Sequence, residues 1–250
     1  MTAAGGTENL KRLVEGGVVM ANHVLGNSNV HTALHVVGYK RVPYTGEPFA
    51  WYRVLSDMLH ESNGLSGLVD LRNSHAADVT LLVGNGWSRP NPICGIAYEM
   101  RLASVSQAPH ALGALDTNCL RVAPEVMIHE LGHMMGAGHN PEEGSGLFSD
   151  SKAYYVNPWF HTVMVTNPSR YCPNCRLALT FSNPSWSFSG VPTGVTGLAN
   201  NARVVRMAAP IVAQYRQSST RQDHFTPCVK DGTCGKDIII DNGLDWNSRH

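Results

Sequence analysis

Residues 129–139 read HELGHMMGAGH, and no other stretch constrains the chain as much. On a helix, His129 and His133 fall one turn apart on one face, close enough to share an ion. Two neutral imidazoles suit zinc. Glu130 follows the first histidine directly, so it sits beside the ion without ligating it, where a bound water would lie. Gly136 is free to take a left-handed conformation and stop the helix. The chain can then turn sharply and return His139 as a third ligand. Three protein ligands leave one coordination position open, the mark of a reactive rather than a structural zinc site. The motif fixes His129, Glu130, His133, Gly136 and His139 together. At background frequencies near one in twenty each, a chance match in a chain of this length is roughly one in ten thousand. A core helix with incidental histidines is therefore set aside. Any fold for this chain must present a helix, a tight turn and room for an ion between them.

The composition is that of a packed protein. The chain has 250 residues, 43% hydrophobic and 15% charged, with 19 basic residues against 19 acidic ones. The apolar share argues against disorder, and the length allows one large domain or two small ones. A net charge of zero leaves no basic footprint for nucleic acid and no polybasic run for an anionic membrane. No apolar stretch approaches the length of a membrane span. Neither nucleic acid nor membrane is therefore expected as a partner. The opening residues, MTAAGGTENLKR, lack the apolar core of a secretory signal. A targeting segment is expected outside this chain. The 6 cysteines, with few charges around them, point to an oxidising, extracytoplasmic setting rather than to reduced thiols in a cytosol.

Helices and strands alternate ahead of the motif. Leu10, Leu13, Val14, Val18, Met20 and Val24 predict a first helix over 8–25, with Thr7 or Asn9 placed to cap it. Residues 30–42 and 78–83 read as strands, 48–61 as a second helix, and 95–102 as an edge strand. The strongest helix is 124–136, opened by Pro124 and closed by Gly136. Residues 137–198 read as irregular, and 200–215 predict a last helix despite Pro210. The tail, 217–250, is polar, carries two of the cysteines and is expected to be a loosely attached appendage. This order points to an α/β fold with its sheet in the first half. So long an irregular stretch is acceptable where it serves a site.

The extended motif resembles that of the metzincin clan of zinc endopeptidases. Within the clan the chain is most similar to the reprolysin (adamalysin-like) branch, particularly its bacterial members. The likeness runs over about 8–216 and includes LVDLRNSHAADVTLLVG at 68–84, CGIAYEM at 94–100, HTVMVT at 161–166 and NARVVRMAAPIVAQYR at 201–216. It implies a metzincin-type catalytic domain over 1–216, followed by the tail. An N-terminal subdomain, about 1–138, would hold a twisted mixed sheet with helices and the active-site helix. An irregular C-terminal subdomain, about 139–216, would end in a helix. The resemblance further implies one catalytic zinc ion on His129, His133 and His139, with Glu130 as general base and Met164 in the turn beneath the metal. A protein or peptide substrate would lie extended along the edge strand at Gly95, Ile96, Ala97 and Tyr98. Calcium is not indicated. The expectation is a monomeric, secreted zinc-dependent endopeptidase. The alternative is a catalytically weak zinc-binding or protein-binding module on the same scaffold, and the intact Glu130 argues against it.

Two positions depart from the clan's patterns. Asn140 stands where reprolysins usually have Asp, and Thr166 where astacins and serralysins carry a ligating Tyr. In the clan the stretch after the turn methionine walls the pocket for the residue following the scissile bond. Here that stretch, 165–179, contains Arg170 and Arg176 and no acidic residue. An arginine facing a partly desolvated pocket favours a carboxylate there. The other reading is two solvated arginines beside an apolar pocket. The favoured cysteine pairs are Cys94–Cys119, tying the edge strand to the approach of the active-site helix, and the local pairs Cys172–Cys175 and Cys228–Cys234. With no second CxxC, a zinc ribbon at 172–175 is set aside.

Overall fold

The computed structural model describes residues 7–46, 51–85, 93–216 and 236–241. In chain order they form α1 (Thr7–Asn27), β1 (Leu34–Lys40), α2 (Trp51–Leu59), α3 (Leu68–Ser74), β2 (Val79–Gly84), β3 (Gly95–Ala97), β4 (Leu112–Asp116), α4 (Thr117–Val122) and α5 (Val126–Met134). The second half forms β5 (Tyr155–Val156), β6 (Phe160–Thr162), α6 (Pro168–Tyr171), β7 (Arg176–Ala178), β8 (Ser187–Phe188), β9 (Val191–Pro192), α7 (Asn201–Val212) and β10 (Lys236–Asp241). Short 3-10 turns lie at Val105–His110 and Pro141–Glu143.

The main sheet has five strands in the order β1-β10-β2-β4-β3. All pairs are parallel except β3 with β4, which is antiparallel. Side chains of β2 and β4 alternate between two apolar layers, as the two-residue strand period requires. Leu81, Val83 and Leu115 join the layer that holds α1, α5 and α7. Leu82, Leu112 and Ala114 face the other way, against Trp51, Val54, Leu55 and Met58 of α2. Strands buried on both faces read as near-continuous apolar runs, as 79–83 does. β3 is half-buried and, with β1 at the other side, is one of the two outer strands of the sheet among the described residues. No described helix is long and apolar enough to cross a membrane.

Three parts of the sequence reading change. β4 was not anticipated, because LGALD is short and three of its five residues are Gly, Ala and Asp. The tail is not wholly an appendage: Lys236–Asp241 lies between β1 and β2, parallel to both. Its run of three isoleucines carries strand propensity, which the polar residues around it mask. The edge strand is also shorter than 95–102, although Tyr98 N still donates to Leu112 O at 3.1 Å. The irregular region keeps its character, with only two- and three-residue strands.

Cys94 and Cys119 are bonded, with Cα atoms 5.4 Å apart, and join the start of β3 to α4. Cys172–Cys175 is bonded as well. The expected pair Cys228–Cys234 lies outside the described residues. The two halves of the chain are joined at the end of α1. The buried Ser28 hydroxyl donates to Val24 O at 2.7 Å, accepts from Phe181 N at 2.8 Å and meets Thr180 Oγ1 at 3.1 Å. Asn27 donates to Leu179 O at 2.8 Å. Replacing Ser28 by Val strands a buried amide, which costs about 1–3 kcal/mol. Urea denaturation of that variant should show a lower midpoint at unchanged slope; an unchanged midpoint would mean that water replaces the hydroxyl.

Candidate metal centre

Helix α5 is apolar almost all round, so it is a buried helix packed on β3 and β4. Its polar residues are the motif's own. The helix stops where the sequence requires. Gly136 takes φ +78, Gly136 N donates to His133 O and Ala137 N to Gly132 O, both at 2.9 Å. A side chain at Gly136 would be strained by that φ and would also press on Leu147. The following turn is clamped from α7. Gly138 N donates to Asn201 Oδ1 at 3.0 Å, and Asn201 Nδ2 donates to Gly138 O at 2.8 Å. Asn201 is fully buried, so both bonds act without competing water. This clamp returns His139 to the end of α5.

His129, His133 and His139 converge, with their ligand atoms within 4.8 Å of one another. His129 Nε2 and His139 Nε2 stand 3.1 Å apart. Two nitrogens on a tetrahedral zinc, at about 2.0–2.1 Å each, are about 3.3 Å apart. The spacing therefore fits one metal ion. Each ring is also held from behind. His129 Nδ1 bonds Val163 O at 2.8 Å, His133 Nδ1 bonds Ala137 O at 3.1 Å, and His139 Nδ1 meets Glu143 Oε2 at 3.0 Å. Those bonds leave each proton on Nδ1 and each lone pair on Nε2. Burial, with the neighbouring His139, lowers His129 to about 4. Burial also holds His133 well below its ordinary value and lowers His139. All three are thus neutral at neutral pH, as ligands must be.

Glu130 is 4% exposed, and burial pushes its carboxyl up to about 8. It fits because Gly95 on β3 has no side chain: a Cβ there would lie 2.7 Å from Glu130 Oε1. Met164 is fully buried, and its sulfur packs on Gly132, where a Cβ would approach it to 2.8 Å. The segment that bears Met164 therefore touches the helix. Met100 N donates to His133 O at 2.9 Å, which fixes β3 and its continuation to the same helix. Ile96, Ala97 and Tyr98 line the outer strand; the Tyr98 ring stands edge-on to His110, 5.1 Å away. Arg170 is exposed on α6, its guanidinium 5.3 Å from the Tyr171 ring, and Arg176 is exposed over Phe188. Neither arginine is desolvated. Tyr171 in turn stacks on Tyr155, whose hydroxyl donates to Glu142 at 3.3 Å.

A mixed sheet with one antiparallel outer strand, a buried helix bearing two histidines, a third on the returning chain and a methionine turn beneath define a metzincin-type metallopeptidase domain. The chain belongs to the reprolysin-like metallo-peptidase family M12B, whose model matches residues 14–140. It is similar to a peptidyl-Asp metalloendopeptidase of Stenotrophomonas maltophilia, 29% identical over 223 residues, 86% of this chain and 50% of that protein. A protein of the same name from Xanthomonas campestris pv. campestris is 30% identical over 224 residues, 86% of this chain and 49% of that one. The chain thus spans about half the length of these relatives. The fold is also found in a solved chain from a chaperone–substrate complex, with a TM-score of 0.65 and 22% identity over 84% of this chain and 33% of that one.

Sequence reasoning missed Asn201 and Glu143. Asn201 is 63 residues from Gly138, and no local pattern reports such a contact. Glu143 stands four residues after His139 on a turn opened by Pro141, a spacing that could have been noticed. The two buried acid–base groups set opposite pH limits on the metal-free protein. Glu130 rises from 4.5 to about 8, so its contribution is full below pH 4.5 and is lost as pH climbs through 8. His129 falls from 6.5 to about 4, so its contribution is present above pH 6.5 and is lost as pH falls through 4. Denaturation of metal-free Glu130→Gln should lack the alkaline loss and keep the acid one. An identical alkaline limb in that variant would assign the loss to another group.

Proposed function

We propose that this domain is a secreted zinc endopeptidase that hydrolyses peptide bonds without a covalent intermediate, with Glu130 as general base. The convergence of three neutral imidazoles beside a buried carboxyl, at the outer strand of the sheet, carries the reading. When bound, a zinc ion supplies Lewis-acid activation of water and of the scissile carbonyl. His129, His133 and His139 would hold it. Glu130 accepts a proton from the attacking water and returns it to the leaving amine. A dication nearby favours the ionised form of Glu130 and so offsets the burial that otherwise keeps it protonated. Among the described residues β3 pairs on one side only, with β4, so its outer side could add an extended peptide through main-chain bonds, which ignore side-chain identity. Met164 sits under the ligand helix as packing, not as a ligand. Disulfides at Cys94–Cys119 and Cys172–Cys175 fit an oxidising, extracellular setting.

For specificity, the relatives' name gives weight to an acidic side chain at the cleavage point. Arg170 is the residue of this chain we assign to it; it is exposed in the structure, so a bound substrate would have to supply the desolvation. It stands on the segment after the methionine turn and carries no carboxylate partner in its contacts with Tyr171. A substrate carboxylate would complete a charge-assisted pair with it. Arg176, over Phe188, is the other arginine on this segment.

Glu130→Ala should keep stoichiometric zinc and an intact fold while casein turnover falls by several orders of magnitude, about 10²–10⁴ from lost proton transfer and more from lost water orientation. Near-full turnover in that variant would remove Glu130 from the mechanism. Separately, Arg170→Ala should reduce cleavage before Asp or Glu at least about tenfold, the scale of a lost charge-assisted bond, with cleavage before Leu little changed. A peptide-library profile dominated by Leu, Phe or Met after the cut, and unmoved by the substitution, would overturn that assignment.

A further inference from the structure

His139 differs from the other two histidines in what stands behind it. His129 and His133 lean on neutral carbonyls, whereas His139 leans on a carboxylate, Glu143. Glu143 is tied in turn to the methionine-turn segment. Its Oε1 accepts from the Thr166 hydroxyl and lies 3.4 Å from Asn140 Nδ2, close enough to share the hydrogen that Nδ2 points at Thr166 Oγ1. Asn140 is fully buried and grips Thr166 from both sides: Nδ2 donates to Thr166 O at 3.2 Å and to Thr166 Oγ1 at 3.1 Å, and Thr166 N donates to Asn140 Oδ1 at 3.3 Å. Every donor in this set has an acceptor. An aspartate at 140 could not donate to Thr166 O or to Glu143, and it would put two carboxylates side by side.

Resting on the zinc reading above, we propose that Glu143 is a positioning residue for the third ligand, and that the amide of Asn140 exists to make room for its charge. The carboxylate holds the His139 proton on Nδ1, aims Nε2 at the other two ligands and raises the basicity of the ring. It also adds a negative charge one bond away from a site whose ligands are all neutral. The acid expected beside the third histidine is thus found three residues further on, on the turn Pro141–Glu143, with an amide in its usual place. Thr166 links the pair to the turn that bears Met164, so the third ligand and the methionine turn move together.

The test is zinc affinity by competition with a chromogenic chelator, with cobalt substitution and metal-free melting alongside, all on the full chain. Glu143→Gln keeps the shape and removes the charge. It should weaken zinc by about 10–100-fold and shift the cobalt d–d spectrum, with metal-free melting unchanged. Asn140→Asp should weaken zinc too, and adding Glu143→Gln to it should restore part of the loss instead of deepening it. Wild-type zinc affinity and cobalt spectrum in Glu143→Gln would overturn the proposal, as would strictly additive losses in the double variant. Should the unaltered chain bind zinc and cleave casein while Glu143→Gln matches it, this proposal alone fails. Should the unaltered chain bind no zinc, the functional reading fails with it.

Discussion

Three imidazole rings stand 4.4 to 5.1 Å apart with their lone pairs aimed at one point, and most of the structure serves to keep them there. Buried polar nitrogens without a shared partner are costly, so the arrangement persists only because each ring is bonded on its far side. The three bonds come from different places: the methionine turn at Val163, the end of the ligand helix at Ala137, and the 3-10 turn at Glu143. The helix gives two of the rings by periodicity alone. The third needs a chain reversal at Gly136, and that reversal needs Asn201 from the last helix to hold Gly138. A loss anywhere in this set is felt at the metal position, although only the histidines would touch the ion.

How much of this could be read from the sequence depends on the range of each interaction. The histidine motif and the Gly136 stop are local, and both are found where the residues indicate. The strand over 79–84 and the helix over 51–59 follow from local patterns too, because burial on one or both faces leaves its period in the residues. The strand Leu112–Asp116 escaped because short strands of small residues carry little propensity of their own and are fixed by their neighbours. The strand Lys236–Asp241 escaped because its partners lie far away in sequence. The clamp on Gly138 was illegible for the same reason, since a long-range hydrogen bond from an asparagine leaves no periodic trace. The bond behind His139 comes from only four residues on, and its spacing could have been noticed.

Burial explains both anomalies of charge at the site. The space that excludes water disfavours every ionised form, so it pushes Glu130 up and the histidines down. Without a cation the pocket therefore holds four neutral groups. That state suits ligands waiting for a metal but not a general base, which must be ionised. On the proposed reading the ion corrects this itself, because a dication shifts the balance toward the carboxylate while leaving the imidazoles neutral. Glu143 stands further out and half-exposed, with a carboxyl oxygen 3.0 Å from His139 Nδ1.

The outer strand and the acid are joined by an absence. Gly95 begins β3, and the room left by its missing side chain is the room in which the Glu130 carboxyl lies. The same strand is fixed to the ligand helix by the bond from Met100 N to His133 O, and its start is tied to α4 by the Cys94–Cys119 disulfide. On the proposed reading, a peptide pairing with β3 would be brought along the carboxyl by the same backbone that makes space for it. Substrate register and proton transfer would then share one frame, since neither the strand nor the acid can shift without the helix that carries two of the ligands. A side chain at 95 would disturb both at once: it would push Glu130 from its seat and crowd the strand edge where the peptide must lie.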